Sequence, residues 1–262
     1  MRDIPILYED DNLLVVNKPS GVSMHDDAKN NASSQQSNNS GDLGAGVVTL
    51  LKAQLGITQL HLCHRLDTGT SGCLCLAKTD NMAREIGELF ASRQVNKYYL
   101  ALSAQKPKKK QGIVIGDMKN RRGGQRILLK STQNPAITQF FSQSASPGIR
   151  GFIVKPYSGK THQIRVALKS IGAPILGDTL YGGQDADRLH LHAWKLVLPL
   201  SHDTVSVTAQ MQSGEMFLRE DVQTWFASLD QPEAFPWPNV PARYQQQSVS
   251  IRDNSELNEN RD

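Results

Sequence analysis

Hydrophobic positions change their period along the chain, and the changes divide it into elements. Ile6-Leu-Tyr and then Leu13 to Val16 flank the polar cluster Asp10-Asp11-Asn12, which predicts two short strands around a tight acidic turn. Lys18-Pro19-Ser20-Gly21 ends the second strand, because proline cannot donate to a sheet ladder. Val47, Val48, Leu50, Leu51 and Leu55 predict a helix that stops at Gly56. Leu60, Leu62, His64 and Leu66 alternate with His61, Cys63 and Arg65, a strand pattern in which His64 is a polar intruder on the apolar side. Cys73–Ala77 reads as a short buried strand. Thr79 or Asp80 can cap the helix that follows, whose Met82, Ile86, Leu89 and Phe90 fall on one stripe.

Tyr98–Leu102 is the next predicted strand, and Lys106–Arg126 is a basic, glycine-containing stretch read as a hairpin or extended loop. Phe152–Pro156 is a further strand. Ile164, Ala167, Leu168 and Ile171 fit a helix closed by Gly172, with His162, Arg165 and Lys169 beside the apolar stripe. Trp194–Leu200 and Thr204–Ala209 predict late strands, and Asp221–Leu229 a closing helix. Strands and helices mix without internal repeat or regular βαβ alternation, so the expected class is α+β on a mixed or antiparallel sheet. Ten of the eleven residues from Asn30 to Ser40 are Ser, Asn or Gln, which cannot offset the entropy of ordering. A flexible polar insertion over 27–46 is therefore expected within one domain spanning 1–228. Enrichment in Pro and Gln makes 229–262 an expected mobile tail.

Composition narrows the setting. The 262 residues, 39% of them hydrophobic, suffice to bury a sizeable core. No apolar run approaches the ~20 residues of a spanning helix. The start, Met1-Arg-Asp-Ile-Pro, lacks the basic-then-apolar order of a signal peptide. Three cysteines, Cys63, Cys73 and Cys75, make no disulfide framework, so a cytoplasmic protein is expected. The net charge of +4 is a weak sign of an anionic partner, but its distribution says more. Residues 97–130 hold ten basic side chains and one acid, Asp117, whereas 229–262 hold six acids and three bases. A basic body without an amphipathic basic helix suits nucleic acid better than an anionic membrane.

Several candidate motifs fail. Gly159-Lys160-Thr161 resembles the end of a phosphate-binding loop, but Val154 stands where the required glycine belongs. Asp67-Thr-Gly-Thr resembles the start of an aspartyl-phosphate site without the second carboxylate two positions on, and His64-Arg-Leu-Asp echoes a kinase catalytic loop with no glycine-rich loop before it. His61, Cys63, His64, Cys73 and Cys75 lack zinc-ligand spacing, so no metal is expected, and core packing is the better reading of Cys73 and Cys75. What survives is His64-Arg-Leu-Asp-Thr-Gly-Thr-Ser-Gly72. Here a carboxylate follows a hydrophobic strand and opens a loop of glycines and hydroxyls that lets backbone approach a ligand. A strand-ending turn in which the Asp caps local amides explains the same residues.

His64–Gly72 resembles the signature H-R-L-D-x-x-T-S-G of the RluA-type family of RNA pseudouridine synthases. Further blocks agree in order: Val16-Asn-Lys-Pro-Ser-Gly-Val22 with His25, Lys97-Tyr-Tyr-Leu-Ala-Leu102, and Ser158-Gly-Lys-Thr-His-Gln-Ile-Arg-Val166. Pro174–Tyr181 and Arg188–Ala193 continue the match, which spans about residues 6–200. The resemblance implies the pseudouridine synthase catalytic fold, a mixed, mostly antiparallel central sheet with flanking helices and loops. It also implies conversion of a uridine in structured RNA, ribosomal or transfer, to pseudouridine. That reaction is an isomerisation with no redox change and no cofactor.

By the same resemblance Asp67 is the essential aspartate, required in its ionised form, and Arg165 is its partner. Tyr99 matches the tyrosine that packs against the target base and assists loss of the C5 proton, while Tyr98 is expected to point the other way. Arg65 matches the side chain that fills the space left by the flipped-out base. His64, Thr70, Lys18, Lys160 and His162 are expected to contact RNA or line its pocket, and Lys106–Arg126 to contact its backbone. Many relatives carry an N-terminal S4-type RNA-binding domain, and this sequence opens directly on the catalytic motifs, so recognition is expected from the core, its loops or its tail. A monomer with no protein partner is the simplest expectation. The alternative is an idle relative that binds RNA as a chaperone or assembly factor, against which Asp67, Tyr99 and Arg165 speak. A nucleobase hydrolase would also need a carboxylate but would release free uracil.

Overall fold

The computed structural model describes residues 3–26, 44–229 and 231–245. Most of the polar insertion, and the tail past 245, lie outside the described residues. The first strands, β1 (Ile6–Glu9) and β2 (Leu13–Lys18), form the hairpin that the apolar–acidic–apolar pattern predicts. Helix α1 (Val47–Leu55) ends at Gly56, as predicted. A two-residue strand β3 (His61–Leu62) precedes β4 (Ser71–Ala77). Helix α2 (Asp80–Ala91) starts under Thr79, whose Oγ1 accepts from the Met82 amide, a cap typically worth ~1 kcal/mol. Then follow β5 (Asn96–Ser103), β6 (Gln111–Gly116), β7 (Met118–Asn120), β8 (Arg126–Leu128), β9 (Ala136–Ser146) and β10 (Ile149–Pro156). Helix α3 (Gln163–Ser170), β11 (Leu191–Pro199), β12 (Thr204–Thr208), α4 (Glu215–Leu218), α5 (Glu220–Ala227) and α6 (Ala242–Gln245) complete the chain.

Ten strands make one sheet in the order β1-β2-β4-β11-β5-β10-β9-β6, with β12 beside β11 and β3 beside β4. The β4–β11 pair is parallel, and every other pairing among the described residues is antiparallel. The central strands, β2 and β4 most completely, are buried on both faces. Helices α1, α2 and α3 cover one face through Val47, Leu51, Ile86, Ile164 and Leu168. On the other, Phe217 and Trp225 of α4 and α5 pack on Leu100, Leu102 and Trp194. The sheet interior holds Cys73 and Cys75, as their alternation with Leu74 and Leu76 in an apolar run suggested. No helix among the described residues is long and apolar enough to cross a membrane.

Four sequence expectations change. The strand over Leu60–Leu66 shrinks to His61–Leu62, because the chain then leaves the sheet: His64 turns in to accept the Cys75 amide at Nε2, and Leu66 enters the core. The Lys106–Arg126 stretch is more ordered than a loop, with β6 pairing β9 and β7–β8 forming a separate ribbon. Strand β9 was hidden from the sequence by Thr138, Gln139 and Ser142, which are buried yet polar. Their polar atoms are engaged: Thr138 accepts from Gln163, Gln139 donates to Pro238 and Ser142 accepts from Arg150. The described part of the expected mobile tail is packed: Val240 and Tyr244 are buried against Ile137, and Trp237 against Tyr98 and Phe141.

Candidate active site

The turn between β3 and β4 carries Asp67, with its carbonyl accepting from the Thr70 amide. Gly72 allows this loop to enter β4, where it has φ +110° and lies so close to β11 that a Cβ would strike the Ala193 carbonyl. Asp67 thus sits near the one parallel seam of the described sheet, in the lining of a cavity of about 470 Å³ that Arg65, Thr70, Tyr99, Lys160, His162 and Arg165 also line. These side chains come from three separated motifs, and the sheet order brings them together.

Arg165, in the first turn of α3, donates from Nη1 to Asp67 Oδ2 at 3.2 Å. Its other edge is held by a residue to which no motif assigns a role. Asp178 accepts from Arg165 Nε at 2.7 Å and Nη2 at 2.8 Å, and its own side chain is 1% exposed. The planar fork fixes the guanidinium, so the third nitrogen points at Asp67. Burial opposes the charge on Arg165, but the Asp178 hydrogen bonds and the Asp178 and Asp67 carboxylates outweigh it and raise its pKa. Gly177, at φ +79°, makes the turn that presents Asp178, with no room for a Cβ beside the Arg188 carbonyl. The signal for Asp178 was a Gly-Asp pair inside a motif already noted, but pairing it with Arg165 needs the fold.

His162 lies 3.9 Å from Asp67 Oδ2 through Nε2, and its Nδ1 shares a 2.9 Å hydrogen bond with the Tyr181 hydroxyl. Burial lowers its pKa, with the Asp67 charge acting in the opposite sense. The same Tyr181 hydroxyl accepts from the Arg126 amide at 2.8 Å, joining the β7–β8 ribbon to the site.

Tyr99 of β5 is 9% exposed, lines the cavity, and its hydroxyl bonds to no protein group among the described residues. Burial and then the Asp67 charge raise its pKa, so the phenol stays protonated at neutral pH. Tyr98 points to the opposite face and packs on Trp237, as strand alternation requires. Arg65 is exposed at the rim. Lys160 reaches the cavity while its Nζ donates to the Asn134 carbonyl.

Lys18, expected to contact RNA or line its pocket, is outside the cavity lining and serves the scaffold instead. Lys18 is fully buried, and its Nζ donates to the carbonyls of Pro19 and Val22 at 2.8 Å and of Thr68 at 3.3 Å. It ties the Asp67 loop to the end of β2 and has no free proton for RNA; burial, then the nearby Arg188 charge, push its pKa down to about 7. His64 borders the cavity, but it stacks on Phe90 at 4.9 Å and accepts the Cys75 amide; burial pushes its pKa down to about 3. Thr70 is 2% exposed and supports the loop from within the wall. Lys97, to which no motif assigns a role, also lines the cavity, with its Nζ 5.4 Å from the Phe90 ring centre and its pKa lowered to about 8 by burial. Arg93 lines it too. Asp67 is thus the one acid among the lining residues, facing Arg65, Arg93, Lys97, Lys160 and Arg165. Such a wall attracts a polyanion and offers a single carboxylate to it.

Comparison with known proteins places the chain in a family. Residues 12–170 match the RNA pseudouridylate synthase family. An uncharacterized RNA pseudouridine synthase of Haemophilus influenzae is 42% identical over 222 residues, covering 84% of this chain and 93% of that protein. The dual-specificity RNA pseudouridine synthase RluA of Escherichia coli is 32% identical over 203 residues, covering 74% and 85%. Among solved structures, human RNA pseudouridylate synthase domain containing 4 superposes with a TM-score of 0.62 at 26% identity, covering 84% of this chain and 93% of that one. The mixed, mostly antiparallel sheet is the fold of those domains, and the chain belongs to the RNA pseudouridylate synthase family, isomerases that act on RNA.

Proposed function

We propose that this enzyme isomerises a specific uridine of structured RNA with Asp67 as the essential catalytic carboxylate. The observation that carries the reading is Asp67 itself, held by Arg165 at 3.2 Å in a cavity whose other charged walls are basic. The N1–C1′ bond breaks, the base turns, C1′ joins C5, the C5 proton leaves and N1 gains one, so no redox partner is required. The target uridine leaves its stack to reach the cavity, a step that costs a few kcal/mol in base-flipping enzymes, and Arg65 at the rim takes its place. Tyr99 supplies a ring for the base to pack against and a neutral hydroxyl open to the cavity, not a standing phenolate.

Ribosomal and transfer RNA are both candidate substrates, and the dual-specificity name of the Escherichia coli relative supports testing them together. The enzyme acts as a monomer in the cytoplasm in this reading. Pseudouridine mapping of total RNA from a deletion strain, complemented with wild-type or Asp67→Asn protein, tests it. A site that returns with wild type and not with the variant is expected. If no site depends on the protein while RNA co-purifies with both forms, the reading fails and the RNA-chaperone alternative replaces it.

A further inference from the structure

We infer that a second cavity, adjoining the catalytic one, holds the nucleotide next to the target uridine; this rests on the reading of the first cavity as the uridine site. The second cavity encloses about 380 Å³, within the range of small-ligand sites. It is walled by the turn after α2, the start of β5, the end of β10 and the packed segment 237–245.

Position is the first argument. Arg93, Val95, Pro156 and Tyr157 line both cavities, so a strand that leaves the uridine site across this wall enters the second cavity directly. Chemistry is the second. The lining residues contain two cations, Arg93 and Lys155, and no acid. Side-chain amides of Asn96 and Asn239 offer donors and acceptors, and Tyr157 and Trp237 offer aromatic surface. Cation, amide and aromatic ring together are the groups with which proteins grip single-stranded RNA. The Lys155 Nζ stands 5.9 Å from the Trp237 ring centre, and the Arg93 guanidinium 5.2 Å from that of Tyr157.

A fixed shared wall is the third argument. Arg93 takes a left-handed backbone, φ 59°, as the closing turn of α2, in which its amide donates to the Phe90 carbonyl and that of Gln94 to the Leu89 carbonyl. Arg93 is further fixed by donating from Nη1 to the Tyr244 carbonyl at 3.2 Å, so the C-terminal segment itself positions the shared wall.

The test uses the full chain with Lys155→Gln and Asn239→Asp, which line the second cavity alone. RNA labelled with tritium at uridine C5, from a strain lacking the gene, reports turnover by tritium release. A 4-thiouridine-substituted RNA reports contacts by photocrosslinking to the Asp67→Asn protein. Each variant is expected to raise KM roughly 5–10-fold with kcat within about twofold, and crosslinks are expected on Trp237, which lines the second cavity and not the catalytic one. Wild-type KM in both variants, with crosslinks confined to the catalytic cavity, overturns the inference. Absence of tritium release by the wild type sinks the uridine reading instead, and crosslinks on the second cavity then decide whether it holds RNA.

Discussion

Arg165 illustrates how one side chain is made dependable by another. A lone arginine at the end of a flexible stem loses much of its electrostatic value to motion, whereas two bonds from Asp178 leave it one orientation toward Asp67. Asp178→Asn removes a buried charge from a paired set, and one-sided disruption of such pairs costs about 3–5 kcal/mol. We expect a lowered melting temperature and, from the misplaced guanidinium, a kcat reduced roughly 100-fold with KM little changed, read by single-turnover tritium release. Lys18 makes a prediction about pH. Its folded pKa of about 7 lies below the usual lysine value, so the unfolded chain binds more protons between about pH 7 and ~10.4. Its contribution to stability therefore improves as pH rises through that window and is least favourable below it. Lys18→Met is expected to flatten that rise in urea midpoint between pH 7 and 9.5, and identical slopes would refute the depressed pKa.

Among elements, β4 and β5 set the site. The period of two in β5 sends Tyr99 to the cavity and Tyr98 to the opposite core; that neighbours in a strand part was legible in the sequence, whereas which of them meets the cavity was implied by the family resemblance alone. Gly72 was legible as part of a motif, but its reason is the parallel crossing with β11, which no local pattern reveals. Gly72→Ala demands both a left-handed backbone and space held by Ala193, so we expect a loss of at least ~2 kcal/mol in denaturant unfolding and little soluble active protein. The short β3 and the polar β9 escaped the sequence reading for related reasons. A histidine in an alternating run is satisfied by a sheet amide instead of extending the strand, and Thr138, Gln139 and Ser142 look solvent-facing until their buried partners are known.

At the scale of the molecule, charge and shape divide the work. Lys108, Lys109 and Lys110 stand exposed where the chain enters β6, away from the cavity lining, and Arg121 and Arg122 are exposed at the tip of the β7–β8 ribbon. Replacing the three lysines by serine is expected to weaken RNA binding without altering kcat, and to shallow the slope of log K against log salt by as many as ~3 units, measured by filter binding. The sequence alone determined the strand and helix periods and the basic body, because periodicity and composition are local, whereas Asp67, Tyr99 and Arg165 stood out through the resemblance of their motifs to a family. Only the tertiary structure decided that Asp178 braces Arg165, that Lys18 serves the fold and not the RNA, and that the chain up to residue 245 builds a cavity wall. Each of those depends on which surfaces the sheet order buries together, and burial across distant segments fixes a charge, a partner or a pKa in a way that neighbouring residues in sequence cannot.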